Sequence, residues 1–304
     1  MTIAAFEHVA KWYGRVIGLV DVAVEIGPGV TGLLGPNGAG KSTFLKLLTG
    51  QLVPSQGTVR LLGADPFRSP SVHARVGFVP EQDAFYDDMT GRAFVRYLTR
   101  LHGYDAADAT RRTEIALDRV GLSDVADRRI RTYSKGMRQR IKLAQAIAHE
   151  PEVLILDEPL TGMDPVARRR TMDLIREFAG RGATVIVSSH VLHEVEAMTS
   201  EVVLLHQGRV LARGGKDEIR REISRFPHKI LLRSAEPRAL ARELLQLPGV
   251  VGVHLADGEV RVETRFPDEF YDRLPRIVLE QRVPVEALEA EDVGLDAIFE
   301  YLVS

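Results

Sequence analysis

The polar and apolar positions follow two rhythms. Ile3 to Val9 and Val20 to Ile26 alternate or run apolar and predict strands, with Lys11-Trp12-Tyr13-Gly14 predicted as the turn between them. Val30 to Leu34 is a short apolar run that reads as a buried strand, and Phe44, Leu45, Leu47 and Leu48 follow at helical spacing. Thr58 to Leu62 and Arg75 to Pro80 predict further strands, the first entered through Pro54-Ser55-Gln56-Gly57. From Met89 to Glu150 the period turns helical and strands vanish. Phe94, Leu98 and Leu101 share one face there, and Met137, Ile141, Ala144 and Ala148 form a stripe on a helix that Ser134 is placed to cap. Val153 to Leu156 and Thr184 to Ser188 predict two more buried strands, separated by a helix from Pro165 to Ala179. Glu201 to Leu205 and Gly208-Arg209-Val210 predict a hairpin. The pattern is that of an α/β domain over 1–222 with a helical insertion at about 89–150.

Beyond residue 222 the rhythm changes. Strands are predicted at Lys229 to Leu232, Val250 to Leu255, Glu259 to Thr264 and Pro284 to Leu288, with a turn at Asp257-Gly258. Helices are predicted at Arg238 to Leu247, Pro267 to Leu279 and Leu295 to Leu302. The order β-α-β-β-α-β predicts a small ferredoxin-like α+β domain over 223–304, without a catalytic constellation of its own.

Between the strand at Val30 and the helix at Phe44 lies Gly35-Pro36-Asn37-Gly38-Ala39-Gly40-Lys41-Ser42-Thr43. Strand, glycine-rich turn and helix, in that order, are the context of a phosphate-binding P-loop, G-x-x-x-x-G-K-[ST]. Successive backbone N–H groups form an anion nest, and the helix adds its positive end. Glycine serves where φ is positive and where a Cβ would meet phosphate. Lys41 is placed to reach the β- and γ-phosphates, and Ser42 offers a hydroxyl to Mg²⁺.

Composition narrows the field. The chain has 304 residues, a net charge of −2 and no cysteine. That length suits about two domains. The near-zero charge gives no basic stripe for nucleic acid, and the missing cysteines exclude disulfides and thiolate chemistry. Met1 to Glu7 lacks the shape of a signal peptide, and no apolar run approaches the roughly 20 residues of a membrane helix. The chain is expected to be soluble, with any membrane crossing left to another chain.

The strand at Val153 ends in Asp157-Glu158-Pro159, and two carboxylates there call for a cation. Asp157 suits the magnesium shell, and Glu158 suits the base or orienting group for an attacking water. His190, at the end of the neighbouring apolar strand, is placed to register the γ-phosphate. An aromatic ring of the adjacent Trp12 and Tyr13 is placed either to stack on a nucleotide base or to cover a sheet edge.

With these motifs in place, residues from about 2 to 222 resemble an ATP-binding cassette (ABC) ATPase, the nucleotide-binding subunit of a transporter, with a P-loop NTPase fold of mixed sheet plus helical subdomain. The resemblance implies ATP and Mg²⁺ as ligands and the P-loop role for Gly35 to Thr43. It makes Val153 to Glu158 the magnesium strand with its catalytic glutamate, and Thr161-Gly162-Met163-Asp164 the loop facing across a dimer. It makes His190 the switch histidine and Tyr13 the base-stacking residue. Tyr133-Ser134-Lys135-Gly136-Met137 occupies the signature, usually Leu-Ser-Gly-Gly-Gln, with Lys135 and Met137 departing from it. Pro80-Glu81-Gln82 occupies the loop that normally carries a magnesium-associated Gln, a position either Glu81 or Gln82 can fill. The resemblance also implies a head-to-tail homodimer, in which Ser134 and Gly136 of one copy close over the other's ATP. The partners implied are integral membrane permease subunits, with the chain peripheral on the cytoplasmic face of the membrane and no nucleic acid bound. Gly294 to Phe299 resembles the closing helix of exporter-type subunits, which favours export. The competing reading is a soluble ABC ATPase of ribosomes or DNA.

Overall fold

The computed structural model describes residues 2–199, 201–215, 218–219, 227–256, 258–280 and 283–291. It divides into two compact units, 1–214 and 215–304, whereas the rhythm of the sequence alone puts the change near 222.

In the first unit, β1 (Ala4–Tyr13), β2 (Val16–Ile26) and β4 (Gln56–Leu61) form an antiparallel sheet in the order β2-β1-β4. A six-stranded sheet is ordered β5-β6-β7-β3-β8-β9, from β3 (Gly29–Leu34), β5 (Val76–Val79), β6 (Val153–Asp157), β7 (Thr184–Ser189), β8 (Glu201–His206) and β9 (Arg209–Gly215). The strands β5, β6, β7, β3 and β8 run parallel. The mixed architecture is the expected one. Helix α1 (Lys41–Leu48) supplies Phe44, Leu45, Leu47 and Leu48 to one core shared with residues of both sheets. Phe44 stacks on Phe6 with centroids 4.0 Å apart. Burying each such side chain contributes about 2 kcal/mol. The P-loop therefore springs from a strand near the middle of the sheet into a helix clamped from both sides.

Helix α2 (Pro70–His73) precedes β5. The insertion is helical as predicted: α3 (Gly91–Leu101), α4 (Ala106–Arg119) and α5 (Lys135–Ile147), capped by Thr90, Asp105 and Ser134 through their side chains. After β6 comes α6 (Pro165–Gly180), capped by Asp164, and after β7 the short α7 (Leu192–Glu196).

One turn is misplaced by the sequence pattern. Lys11, Trp12 and Tyr13 lie inside β1, Tyr13 pairs with Val16, and the turn is Gly14-Arg15 with Gly14 at φ 61°. Main-chain pairing carries the ribbon beyond the apolar run, so its exposed end has no alternation to betray it.

The second unit has β10 (His228–Arg233), α8 (Pro237–Leu244), β11 (Val250–Ala256), β12 (Glu259–Thr264), α9 (Pro267–Glu280) and β13 (Ala287–Ala290). Its antiparallel sheet is ordered β11-β12-β10-β13, the ferredoxin-like arrangement expected from the element order. Leu240, Leu244, Phe270 and Leu274 of the helices pack on Ile230, Leu232, Val260 and Val262. The last strand starts at Ala287, not at Pro284, whose carbonyl instead accepts the Ser234 hydroxyl. Asp257, the expected helix from Leu295 to Leu302 and the exporter-like stretch Gly294 to Phe299 lie outside the described residues.

Candidate nucleotide site

Three parallel strands deliver their carboxyl ends to one edge. Leu34 of β3 is level with Ser189 of β7, and Ser188 is level with Asp157 of β6. Ligand crevices in open α/β sheets form at such an edge. The loop leaving β3 depends on glycine at two places. A Cβ on Gly35 would sit 2.2 Å from the Leu205 carbonyl oxygen, and one on Gly40, at φ 107°, 2.7 Å from that of Gly18. Gly40 caps α1 in the left-handed conformation, which aims the first N–H groups of the helix into the crevice.

Lys41 is buried, and its Nζ donates to the Gly35 carbonyl at 2.7 Å and to that of Pro36 at 3.3 Å. It stands 3.8 Å from Glu158 Oε1. The other oxygen of Glu158, Oε2, accepts from His190 Nδ1 at 2.9 Å. That bond places the proton of a neutral His190 on Nδ1, and the His190 side chain is half exposed. Glu158 itself is left-handed, at φ 50°, a conformation that costs about 1 kcal/mol in a non-glycine residue. Asp157 is 4% exposed and accepts from Ser188 Oγ at 2.7 Å, while Ser188 Oγ accepts from the Glu158 N–H at 2.9 Å. The Glu158 carbonyl accepts from Gln139 Nε2 of α5 at 3.2 Å. Ser188 and Gln139 were not singled out in the sequence. Two serines closing an apolar strand were the available sign of the first.

Of these groups, Gly40, Lys41, Asp157 and Glu158 line a cleft of about 430 Å³. Its lining is completed by Pro36, Asn37, Gly38, Ser42 and Thr43 of the loop, by Glu81, and by Tyr13, Val16, Ile17 and Gly18. Ala39 is buried beneath the loop. The Tyr13 hydroxyl is 3.3 Å from Thr43 Oγ1, and its ring, 44% exposed, forms the lip with Lys11 Nζ 5.5 Å from its centroid. Gln82 lies apart. It lines a neighbouring cleft of about 530 Å³ with Lys135, Arg138 and Thr161, which Glu81 and Glu158 also border.

Ser134 and Gly136 are not in the Lys41 cleft of their own chain. The exposed Ser134 hydroxyl accepts from the Met137 N–H at 3.2 Å. Gly136 lies close to the 161–164 loop, where a Cβ would be 3.1 Å from the Gly162 carbonyl oxygen. The Lys135 stem crosses the same glycine, 2.6 Å from where its Cβ would stand.

A P-loop joined to a strand-terminal Asp-Glu pair defines a nucleoside triphosphatase, since it cradles phosphate and sets a carboxylate beside it. Comparison with known proteins narrows the class. The family model described as ABC transporter matches residues 19–161. The chain is 33% identical over 296 residues to daunorubicin resistance ATP-binding protein DrrA3 of Streptomyces coeruleorubidus, covering 97% of this chain and 92% of that one. It is 37% identical over 211 residues to Nod factor export ATP-binding protein I of Paraburkholderia xenovorans, 69% of each chain. Among solved structures, the ATP-binding subunit of an ABC transporter superposes with a TM-score of 0.68 at 30% identity, covering 73% of this chain and 93% of that one. A dimeric cassette bound to ADP and Pi shares the fold, with a TM-score of 0.65 at 21% identity and 70% and 98% covered. The chain belongs to the ABC transporter family, as an ATP-binding subunit that hydrolyses ATP.

Proposed function

We propose that two copies of the chain close head to tail over two ATP molecules and drive export through separate membrane-spanning subunits. One observation carries this reading: Ser134 presents a capped helix end at the surface, outside the cleft of its own chain, so only a second copy can bring it to a triphosphate.

In the closed pair the loop from Gly35 to Thr43 binds the phosphates through backbone N–H groups. Lys41 exchanges its carbonyl partners for phosphate oxygens, and Tyr13 stacks on the base. Glu158, held by His190, orients the attacking water and takes its proton. His190 Nε2 then faces the γ-phosphate. Ser134 and Gly136 of the partner copy cap that phosphate from the opposite side.

The chain's own oxygen donors fit Mg²⁺. Asp157 accepts from the buried Ser188 hydroxyl, and Ser42 and Glu81 line the same cleft. Among the described residues no three His, Asp or Glu side chains gather tightly enough to hold a metal alone. That suits an ion taking one or two carboxylates and completing its shell with phosphate and water. When bound, Mg²⁺ neutralises charge on the β- and γ-phosphates. Glu81, the one of the two loop candidates on this cleft, is assigned to its shell.

No helix among the described residues is long and apolar enough to cross a membrane. A permease partner therefore carries the pathway, with this subunit on its cytoplasmic face. The names of the relatives, for drug resistance and Nod factor export, support the outward direction. Expression beside the natural neighbouring genes, followed by affinity purification in detergent, tests the partner: an integral membrane protein is expected in stoichiometric yield. Recovery with ribosomes or DNA instead would overturn the assignment.

A further inference from the structure

Strand β5 is the outermost strand of the six-stranded sheet, so the carbonyls on its outer side have no neighbouring strand. Side chains at the C-terminal half of α5 take that place. His149, just past the helix, has Nε2 3.1 Å from the Val76 carbonyl oxygen, and because a carbonyl only accepts, Nε2 carries the proton. Gln145 Nε2 donates to the Phe78 carbonyl at 2.8 Å. Lys142 Nζ donates to the Pro80 carbonyl at 2.9 Å and to that of Glu81 at 3.0 Å. Its remaining partner is Asp83 Oδ1 at 3.1 Å. The acceptors step by two along an extended chain, about 6.6 Å. The donors step by three or four along a helix, about 4.5–6 Å. The two spacings lie close enough for successive rungs, and the ladder fixes the register of helix against strand.

Only the last rung reaches the nucleotide site. Lys142 is 3% exposed, and a buried ammonium with all three donors engaged is a demanding choice for a helix flank. Its acceptors belong to the loop that places Glu81 on the wall of the cleft. Its helix begins at the residue after Ser134. We propose that Lys142 is a positioning residue of the ATPase reaction, holding the Glu81 loop in register with the helix that presents Ser134 to the partner copy. This rests on the dimeric reading above and adds to it how one chain keeps its two half-sites in step: Glu81 for its own nucleotide and Ser134 for the partner's.

The test uses the full chain. Lys142→Met removes the rung while keeping the volume of the stem. ATP affinity in the absence of Mg²⁺ is expected to stay within about twofold of wild type, because the P-loop is untouched. kcat is expected to fall about tenfold or more, since a displaced group spoils alignment. The Mg²⁺ concentration for half-maximal rate is expected to rise about tenfold, as when a partner that orients a metal ligand is lost. Gln145→Leu breaks the neighbouring rung without touching residues 80–83 and is the control: it lowers thermal stability and leaves kcat and the Mg²⁺ dependence unchanged. Should Lys142→Met fail to fold, Asp83→Asn weakens the same rung from its exposed end, and smaller shifts of the same sign are expected. Wild-type kcat and Mg²⁺ dependence in Lys142→Met, or in Asp83→Asn where that carries the test, overturn the proposal. So does an equal loss in Gln145→Leu. These readings are ratios to wild-type turnover, so a wild-type chain that never pairs on ATP defeats the dimeric reading, whereas one that pairs and turns over beside unaffected variants defeats the role of Lys142 alone.

Discussion

Glu158 is held in three ways: His190 on one carboxylate oxygen, Lys41 beside the other, and Gln139 on its carbonyl. Lys41 in turn spends its hydrogen bonds on the loop it belongs to. Phosphate oxygens would offer Lys41 charged acceptors in place of these carbonyls, and charge-assisted bonds are the stronger. Replacing Lys41 with Ala is expected to weaken ATP binding about tenfold or more. Titration followed through the single tryptophan, Trp12, next to Tyr13 at the lip of the cleft, measures it, and an unchanged dissociation constant would remove Lys41 from phosphate recognition. These residues are legible in the sequence because their chemistry is local: nine consecutive residues build the nest, and the Asp-Glu pair closes one apolar run. Ser188 and Lys142 are not, because their partners lie 31 and about 62 residues away. A lysine between Ile141 and Leu143 reads as a solvent-facing interruption until the fold supplies carbonyls for it.

At the scale of an element, α5 combines two ends with different tasks. Its N-terminus displays Ser134. Its C-terminal half lies along the outer edge of β5, and just past its end is His149, whose Nδ1 is buried with no hydrogen-bond partner among the described residues. Burial pushes the pKa of His149 down to about 4, with the nearby His102 and Arg112 acting in the same direction and the Val76 carbonyl opposing them. His102 stacks on its ring at 3.8 Å, the Tyr104 hydroxyl donates to its carbonyl, and Glu150 pairs with Arg112. The unfolded chain, with an ordinary histidine, binds the proton first as pH falls below 6.5. Stability from a neutral His149 is therefore complete above about pH 6.5 and lost as pH drops towards 4, a loss of about 3 kcal/mol. Thermal melts across that range are expected to fall more steeply for wild type than for His149→Gln, which keeps a donor for Val76 but cannot be protonated; parallel curves would remove His149 as the source. Most of the longer helices and strands are legible from periodicity, but of the side-chain caps only Ser134 is, and Thr90, Asp105 and Asp164 are not. The end of the β1–β2 ribbon was not, because its pairing is main-chain bonding with little apolar burial to mark it.

At the scale of the whole molecule, the chain carries a glycine-rich cradle and a serine-capped helix end, and Ser134 lies outside the cleft that the cradle lines. The sequence exposed both parts through motif resemblance, and the parallel sheet places the first. In the dimer proposed above the two parts meet only across two chains. The β-α-β-β-α-β order announced the second unit because each of its elements is short and cleanly bounded, yet none of its residues takes part in the chemistry derived for the first. The most direct measurement is sedimentation of the full chain with Glu158→Gln, which keeps the geometry but removes the base, contributing about 100-fold or more to hydrolysis. With saturating ATP and Mg²⁺ it is expected to sediment as a dimer holding two unhydrolysed ATP, and to return to monomer when ADP replaces ATP. A chain that stays monomeric at saturating ATP, or hydrolyses it at the wild-type rate, would contradict the account.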